Sequence, residues 1–224
     1  LEPFRGYGPG PPRIFRLIRA GEAWDEAAQK LYRGGSYGNG SAMRIAPVGV
    51  FYYDDQGKLK EVAVKSSLIT HTHPLGKEGA ALQACAIALA TNLEPSVALT
   101  PDEFLAKLTD FTQEEVYQQK LAKLKVLLGE PDKAKVIAEL GNGIEAFNSV
   151  PTAIYSFLAQ PNSFVEAVLY AISLGGDTDT IGAMTGAISG AYLGIESIPD
   201  SWRGKLENRL YLKGLAKKLW TLKS

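Results

Sequence analysis

GGDTDTIGAMTGAISGAYLGI, residues 175–195, sets two carboxylates and two threonine hydroxyls at the mouth of a run that then carries no charge. Gly175 and Gly176 permit a tight turn. Asp and Thr are residues that open helices, and the uncharged run that follows predicts a buried helix. Gly182, Gly186, Gly190 and Gly194 recur at every fourth position. That spacing gives the helix a glycine face on which another backbone can come close. The run is too short and too poor in large apolar residues to span a bilayer. One Asp is enough for a cap, so the second acid needs a reason. Asp177, Asp179 and Thr180 converging at a helix start form a hard-oxygen set suited to Mg²⁺ or Ca²⁺. The alternative is one capping acid and one exposed acid. A cation would also offset the cost of crowding two like charges.

Working outward, most of the chain has helical patterning and little period-two alternation. Residues 1–12 are rich in glycine and proline and read as a loop. RIFRLIRAGEAWDEAAQKLY, from residue 13, predicts helices interrupted near Gly21. FYYDDQGKLKEVAVKSSLITH, from residue 51, predicts a turn and then a helix. GKEGAALQACAIALATNL, from residue 76, predicts a strongly apolar helix. Thr100-Pro101-Asp102-Glu103 has the pattern of a capping box. The helical region after it stops at Gly129, and Pro131 opens a further helix that stops at Gly141. Two apolar helices follow before Gly175, and the basic, amphipathic C-terminal segment from Trp202 predicts an outer helix. The fold class is all-α, with residues 1–224 as one domain.

Composition narrows the function. Of 224 residues, 24 are Lys or Arg and 24 are Asp or Glu, so the charges cancel. No basic stripe points to direct DNA binding, and nothing points to a membrane partner. The one cysteine, Cys85, precludes an internal disulfide, fits a reducing compartment and reads as a buried structural thiol. The expected location is intracellular: cytoplasm, nucleus or mitochondrion. The chain opens LEPFRGYGPGPP without Met, which reads like the middle of a longer protein.

Three further stretches carry chemistry. GGSYGNGSAMR, residues 34–44, exposes backbone N–H groups in a concave turn of the kind that holds phosphates. Tyr37 there can stack on a base, yet no Gly-Lys-Ser/Thr follows, so it is not a P-loop. ITHTHPLG holds the only two histidines, His71 and His73. Zinc needs more ligands than these two supply, whereas one histidine can donate to a ligand. Asp54 and Asp55 sit in YYDDQG, a surface turn.

RGYGPG, GSYGNGSAMR, LITHTHPLG, ELGNGIEAFNSVPTAIYSFL and SLGGDTDTIGAMTGAISGAYLG, in this order, resemble the ADP-ribosylglycohydrolase family. The resemblance covers nearly the whole chain and is nearest to the branch that removes ADP-ribose from serine and degrades poly(ADP-ribose). It implies an all-α, orthogonal multi-helix fold with two Mg²⁺ ions in a central cleft. Asp177, Asp179 and Thr180 match the family's C-terminal metal ligands. Gly35, Ser36, Tyr37 and Gly38 match the loop that grips the diphosphate and stacks on adenine, and His71 matches a histidine contacting ADP-ribose. Gly6, Tyr7, Gly8 and Gly10 match a glycine loop beside the distal ribose and phosphates. Asn142, Gly143 and Ile144 match a segment lining the adenosine end, and a second stacking aromatic falls near Leu31 or Tyr32.

The family pattern also has a part before the RGYG segment, with a catalytic Glu and a Thr-Asp-Asp run. These 224 residues hold no counterpart of either, and Asp54-Asp55 lies on the wrong side of GSYGNG to serve. The expectation is therefore the C-terminal portion of the fold, without its N-terminal helices, and no catalytic residue is assigned. The implied activity is Mg²⁺-dependent hydrolysis of serine-linked ADP-ribose, poly(ADP-ribose) and O-acetyl-ADP-ribose, in the DNA damage response. The implied partners are ADP-ribose and its protein or polymer conjugates, with the chain a monomer or paired with an N-terminal fragment. The competing expectation is a non-catalytic ADP-ribose binder or a structural, crystallin-like homologue.

Overall fold

The computed structural model describes residues 8–129 and 132–223. Among them are fourteen α-helices and one short 3-10 turn, with no named strand, so the all-α expectation holds. At the centre lies α6 (Pro74–Thr91), apolar on every side and buried along most of its length. A helix without a polar face has to be enclosed. Around it pack α3 (Gly40–Met43), α4 (Ala46–Phe51), α5 (Gln56–Ser67), α10 (Ala146–Ala159) and α12 (Thr178–Leu193). Outside these, α7 (Pro101–Phe111), α8 (Glu115–Gly129) and α9 (Lys133–Leu140) close one flank, and α11 (Phe164–Ser173) lies along α12. Near the N-terminus, α1 (Gly10–Arg19) and α2 (Ala27–Leu31) share a small separate cluster built on Ile14, Ala27 and Ala28. The last helices, α13 (Asp200–Lys205) and α14 (Arg209–Lys223), bury no residue.

Helix boundaries follow local chemistry with three corrections. Asp55, Asp132 and Ser163 each accept a backbone N–H as N-caps of α5, α9 and α11. Thr100 does occupy the N-cap of α7, yet its side chain makes no capping bond, so the predicted box is not formed. The proline-rich loop ends earlier than expected: Gly10 already starts α1, with Pro11 and Pro12 in its first turn, where a missing N–H costs nothing. The C-terminal amphipathic segment is two helices, broken before Arg209 where Asn208 has φ 56°. The expected start at Pro131 falls outside the described residues, and α9 ends as predicted at Gly141, with φ +81°.

The glycine face of α12 meets side chains rather than another backbone. A Cβ on Gly182 would lie 3.4 Å from Ile172, and one on Gly186 3.5 Å from Val168, which is ordinary contact. Gly194 caps the helix end instead. The close approach lies on α6, where a Cβ on Gly79 would come within 2.8 Å of the Ala146 Cβ and closer still to the Tyr117 hydroxyl. Tyr117 is itself pinned, donating to Leu75 O at 2.7 Å. Cys85 is buried in the same core and its thiol is pushed up to about 12 by desolvation, so it is unreactive.

Gly79→Ala tests this packing by its sign. Helix propensity alone would favour Ala by about 1 kcal/mol, while overpacking costs about 1–3 kcal/mol. Urea unfolding should show net destabilisation; a gain would mean α6, α8 and α10 are not in tight contact.

Candidate functional site

Three loops meet at one end of the core. The first runs from Gly35 to the start of α3, the second from Gly141 into α10, and the third from Leu174 into α12. Gly38 and Glu145 form an isolated antiparallel bridge. Beside it, Asn39 N donates to Ile144 O at 2.9 Å and Ala146 N to Tyr37 O at 2.9 Å. The second and third loops are tied by Asp177 N to Asn142 O at 2.8 Å and Asn142 Nδ2 to Leu174 O at 2.8 Å. This last approach requires glycine: Gly176 has φ +68°, and a Cβ there would lie 2.1 Å from Asn142 O. The first and third loops meet through one side chain. Asn39, 7% exposed, donates from Nδ2 to Asp177 Oδ2 at 2.6 Å and to Ser149 Oγ at 3.0 Å. At the far end of the second loop, Lys120 Nζ donates to Glu139 O at 2.9 Å, Leu140 O at 2.7 Å and Asn148 Oδ1 at 3.1 Å.

The acids at the mouth of α12 are not side-chain caps. Asp177 occupies the N-cap position without making a capping bond, because its carboxylate is held by Asn39. Asp179 is exposed in the first turn. Thr180 is buried, and among the described residues its hydroxyl makes a long contact to Met43 Sδ at 3.7 Å. A third His, Cys, Asp or Glu does not join these acids among the described residues. Two carboxylates and a hydroxyl fit a hard divalent cation by donor type, yet such a cation takes about six oxygen ligands. The set therefore fits part of a coordination shell.

Tyr37 stands beside this corner, 48% exposed. Its ring is flanked edge-on by His73, centroids 5.5 Å apart, and at a tilt by Phe147 at 5.9 Å, so it is supported yet offers surface for stacking. Ile144 is exposed at 66% nearby in the chain order of the second loop, and Gly143 folds close over the Glu145 carboxylate. Gly35, with φ +83°, lies so close to Thr72 and the His73 backbone that no side chain would fit. Ser36 Oγ accepts from Gly38 N at 3.2 Å. His71 is packed under the first loop, where Cβ atoms on Gly38 and Gly40 would meet its ring at 3.4 Å and 3.0 Å. Burial, with Arg44 adding to it, lowers its pKa to about 4. His73 serves α6 differently, accepting from Leu75 N at 3.1 Å through Nδ1.

The predicted glycine loop at the N-terminus is only partly visible. Gly6 and Tyr7 lie outside the described residues. Gly8 is exposed, and Gly10 is the first residue of α1, buried against the Tyr32 hydroxyl. The acids of YYDDQG stay apart from the site: Asp55 caps α5, and Asp54 pairs with Lys223. Sequence reasoning did not foresee that Tyr37–Asn39 pair with Ile144–Ala146, just after the glycine turn at residues 141–143. It also missed Phe147, Ser149 and Met43, which sit inside helices and carry no local signal. The role of Asn39 had one hint, an amide between two glycines.

An all-α frame thus gathers two acids, an exposed aromatic and glycine turns at one helix mouth. A profile of the ADP-ribosylglycohydrolase family matches residues 2–224, and the chain belongs to that family. Human ADP-ribosylhydrolase ARH3 is 39% identical over 92% of this chain, and the zebrafish (Danio rerio) protein of that name 34% over 98%. The chain spans 64% of the human relative's length. An uncharacterised Archaeoglobus fulgidus protein is 32% identical over 97% of this chain and 68% of its own. Among solved structures, an ADP-ribosylglycohydrolase-related protein complex superposes with a TM-score of 0.70 at 25% identity, covering 98% of this chain and 76% of that one.

The buried imidazole makes stability depend on pH with a defined sign. Below the ordinary 6.5 the unfolded chain takes up a proton that folded His71 refuses until about 4. Its contribution is complete above pH 6.5 and is lost as pH falls toward 4. Wild type should therefore lose unfolding free energy relative to His71→Gln across that window. Parallel curves for the two proteins would mean the ring is not buried neutral.

Proposed function

We propose that this chain provides the ADP-ribose-holding face, and part of the metal site, of a metal-dependent ADP-ribosylhydrolase acting on serine-linked ADP-ribose and poly(ADP-ribose). The observation that carries the reading is the joining of the three motif loops through Gly38–Glu145, Asn142–Asp177 and Asn39–Asp177. Family membership and the relatives named ADP-ribosylhydrolase support the chemistry.

In this reading the Tyr37 ring stacks on the adenine, steadied by His73 and Phe147. Ser36 and the glycine backbone of residues 35–38 lie against the diphosphate, and Asn142, Gly143 and Ile144 border the adenosine. His71 faces the same loop from below. Gly8, with Gly6 and Tyr7, belongs to the distal ribose. Asp177, Asp179 and Thr180 would hold Mg²⁺, one of two ions in the family pattern. A bound divalent ion supplies Lewis-acid polarisation and orients the distal ribose hydroxyls. The residues of this chain bind and orient; the acid–base function belongs to the family's Glu, which has no counterpart among these residues.

A second reading, a binder without turnover, is favoured by one observation: two acids, and not three, are grouped at the helix mouth among the described residues. One assay separates the two. Release of ADP-ribose from a serine-modified peptide is followed with Mg²⁺ and with EDTA, using the chain and the longest protein encoded with it. The hydrolase reading expects Mg²⁺-dependent release from the latter, abolished by Asp179→Asn. No release with any divalent ion, while ADP-ribose still binds, supports the binder. In either case Tyr37→Ala should weaken ADP-ribose binding, since base–aromatic stacking is worth about 1–3 kcal/mol. Unchanged binding would remove Tyr37 from the site.

A further inference from the structure

We infer that Thr70 and Arg44 are positioning residues that fix His71 in the tautomer with its proton on Nε2, making it a permanent hydrogen-bond donor beneath the Gly38–Gly40 loop. The inference deepens the ADP-ribose reading above and rests on it for the identity of the ligand.

The argument is one of proton counting. Arg44 carries only donors. Its guanidinium reaches Thr70 Oγ1 at 2.8 Å and Ser66 O at 3.2 Å from one nitrogen, and Gly40 O at 3.2 Å from the other. Thr70 Oγ1 is therefore an acceptor toward Arg44. Its other neighbour is His71 Nδ1 at 2.7 Å. Thr70 is buried at 5% exposure, so its hydroxyl proton needs an acceptor, and Nδ1 is the acceptor within reach. A proton on Nδ1 would leave the buried threonine O–H unsatisfied, which native structures avoid. A neutral ring that accepts at Nδ1 must carry its proton on Nε2.

The surroundings keep the ring neutral and aim that proton at the loop. Gly38 and Gly40 face the imidazole, where their added Cβ atoms would fall 3.4 and 3.0 Å from the ring, and Gly76 lies beside the His71 Cβ; none of the three brings a titratable group. The charged group bearing on it is Arg44, whose positive charge, added to burial, opposes protonation. The Nε2 edge lies toward Gly38 and Gly40, and no hydrogen bond among the described residues falls on Nε2. A donor fixed there suits an acceptor oxygen of a diphosphate or ribose. Because the ring stays neutral, that donor is the same at pH 8 as at pH 6. A freely titrating histidine would gain charge across that range and tighten on an anion as pH fell.

The test reads the tautomer directly. With two histidines in the chain, ¹⁵N-histidine labelling and a long-range ¹H–¹⁵N spectrum of the ligand-free protein at pH 7 resolve both rings, with His71→Asn assigning them. We expect His71 with Nδ1 bare and Nε2 protonated, unchanged from pH 8 to pH 6. Thr70→Val should give a mixed-tautomer pattern and weaken ADP-ribose binding about 2- to 10-fold, the usual scale of one hydrogen bond. Thr70→Ser, which keeps the hydroxyl, should restore both. A proton on Nδ1 in wild type, or an unaltered Nε2–H signature in folded Thr70→Val, overturns the inference. Absence of ADP-ribose binding by wild type would overturn the functional reading alone, because the ligand-free spectrum still decides the tautomer.

Discussion

The contact from the Asn39 amide to the Asp177 carboxylate, 2.6 Å long and shared with Ser149, ties together parts of the chain more than a hundred residues apart. It crosses the interior between the loop before α3 and the loop before α12. A buried amide cannot leave its donors unpaired without a penalty of about 1–3 kcal/mol, so Asn39 stays in place only while both acceptors do. Placing Ser149 there requires α10, whose Ser149 hydroxyl donates back to Glu145 O. Placing Asp177 requires the left-handed turn at Gly175 and Gly176. α6 passes behind all three and supplies the apolar support.

The contact also changes what the acids at the helix mouth can do. A capping Asp would turn its oxygen back onto the first N–H groups of α12. Held by Asn39 instead, Asp177 keeps its second oxygen outside that bond. Asp179, one residue into the helix, is open to solvent, and the Thr180 hydroxyl makes a long contact with the soft Met43 sulfur. In the proposed reading, the charge at the mouth of α12 serves as a donor set rather than as a cap.

Much of the fold was legible because α6, α10 and α12 are apolar over helix length and the breaks between elements carry glycine. The GGDTDT and GSYGNG segments pointed to the site for the same local reason, their residue chemistry being unusual. The misses are long-range or cooperative. Nothing in YGNG states that it pairs across the fold with Ile144–Ala146. Thr100 has the residues of a capping box, yet capping depends on a rotamer that its surroundings did not select. The glycine spacing of α12 suggested backbone contact, whereas the neighbour, α11, fills that face with Ile172, Val168 and Phe164. The Thr70–His71–Arg44 arrangement is invisible in sequence because it joins the turn between α5 and α6 to the end of α3, with α4 and α5 between them in the chain.

The central claim is that the three loops act as one ligand-holding surface. The most direct test is backbone-amide NMR of this chain titrated with ADP-ribose. The account predicts that residues 35–40, 142–146 and 175–180 shift together with a common midpoint, while the amides of α14 stay still. Shifts confined to one loop, or different midpoints for the three, would contradict it.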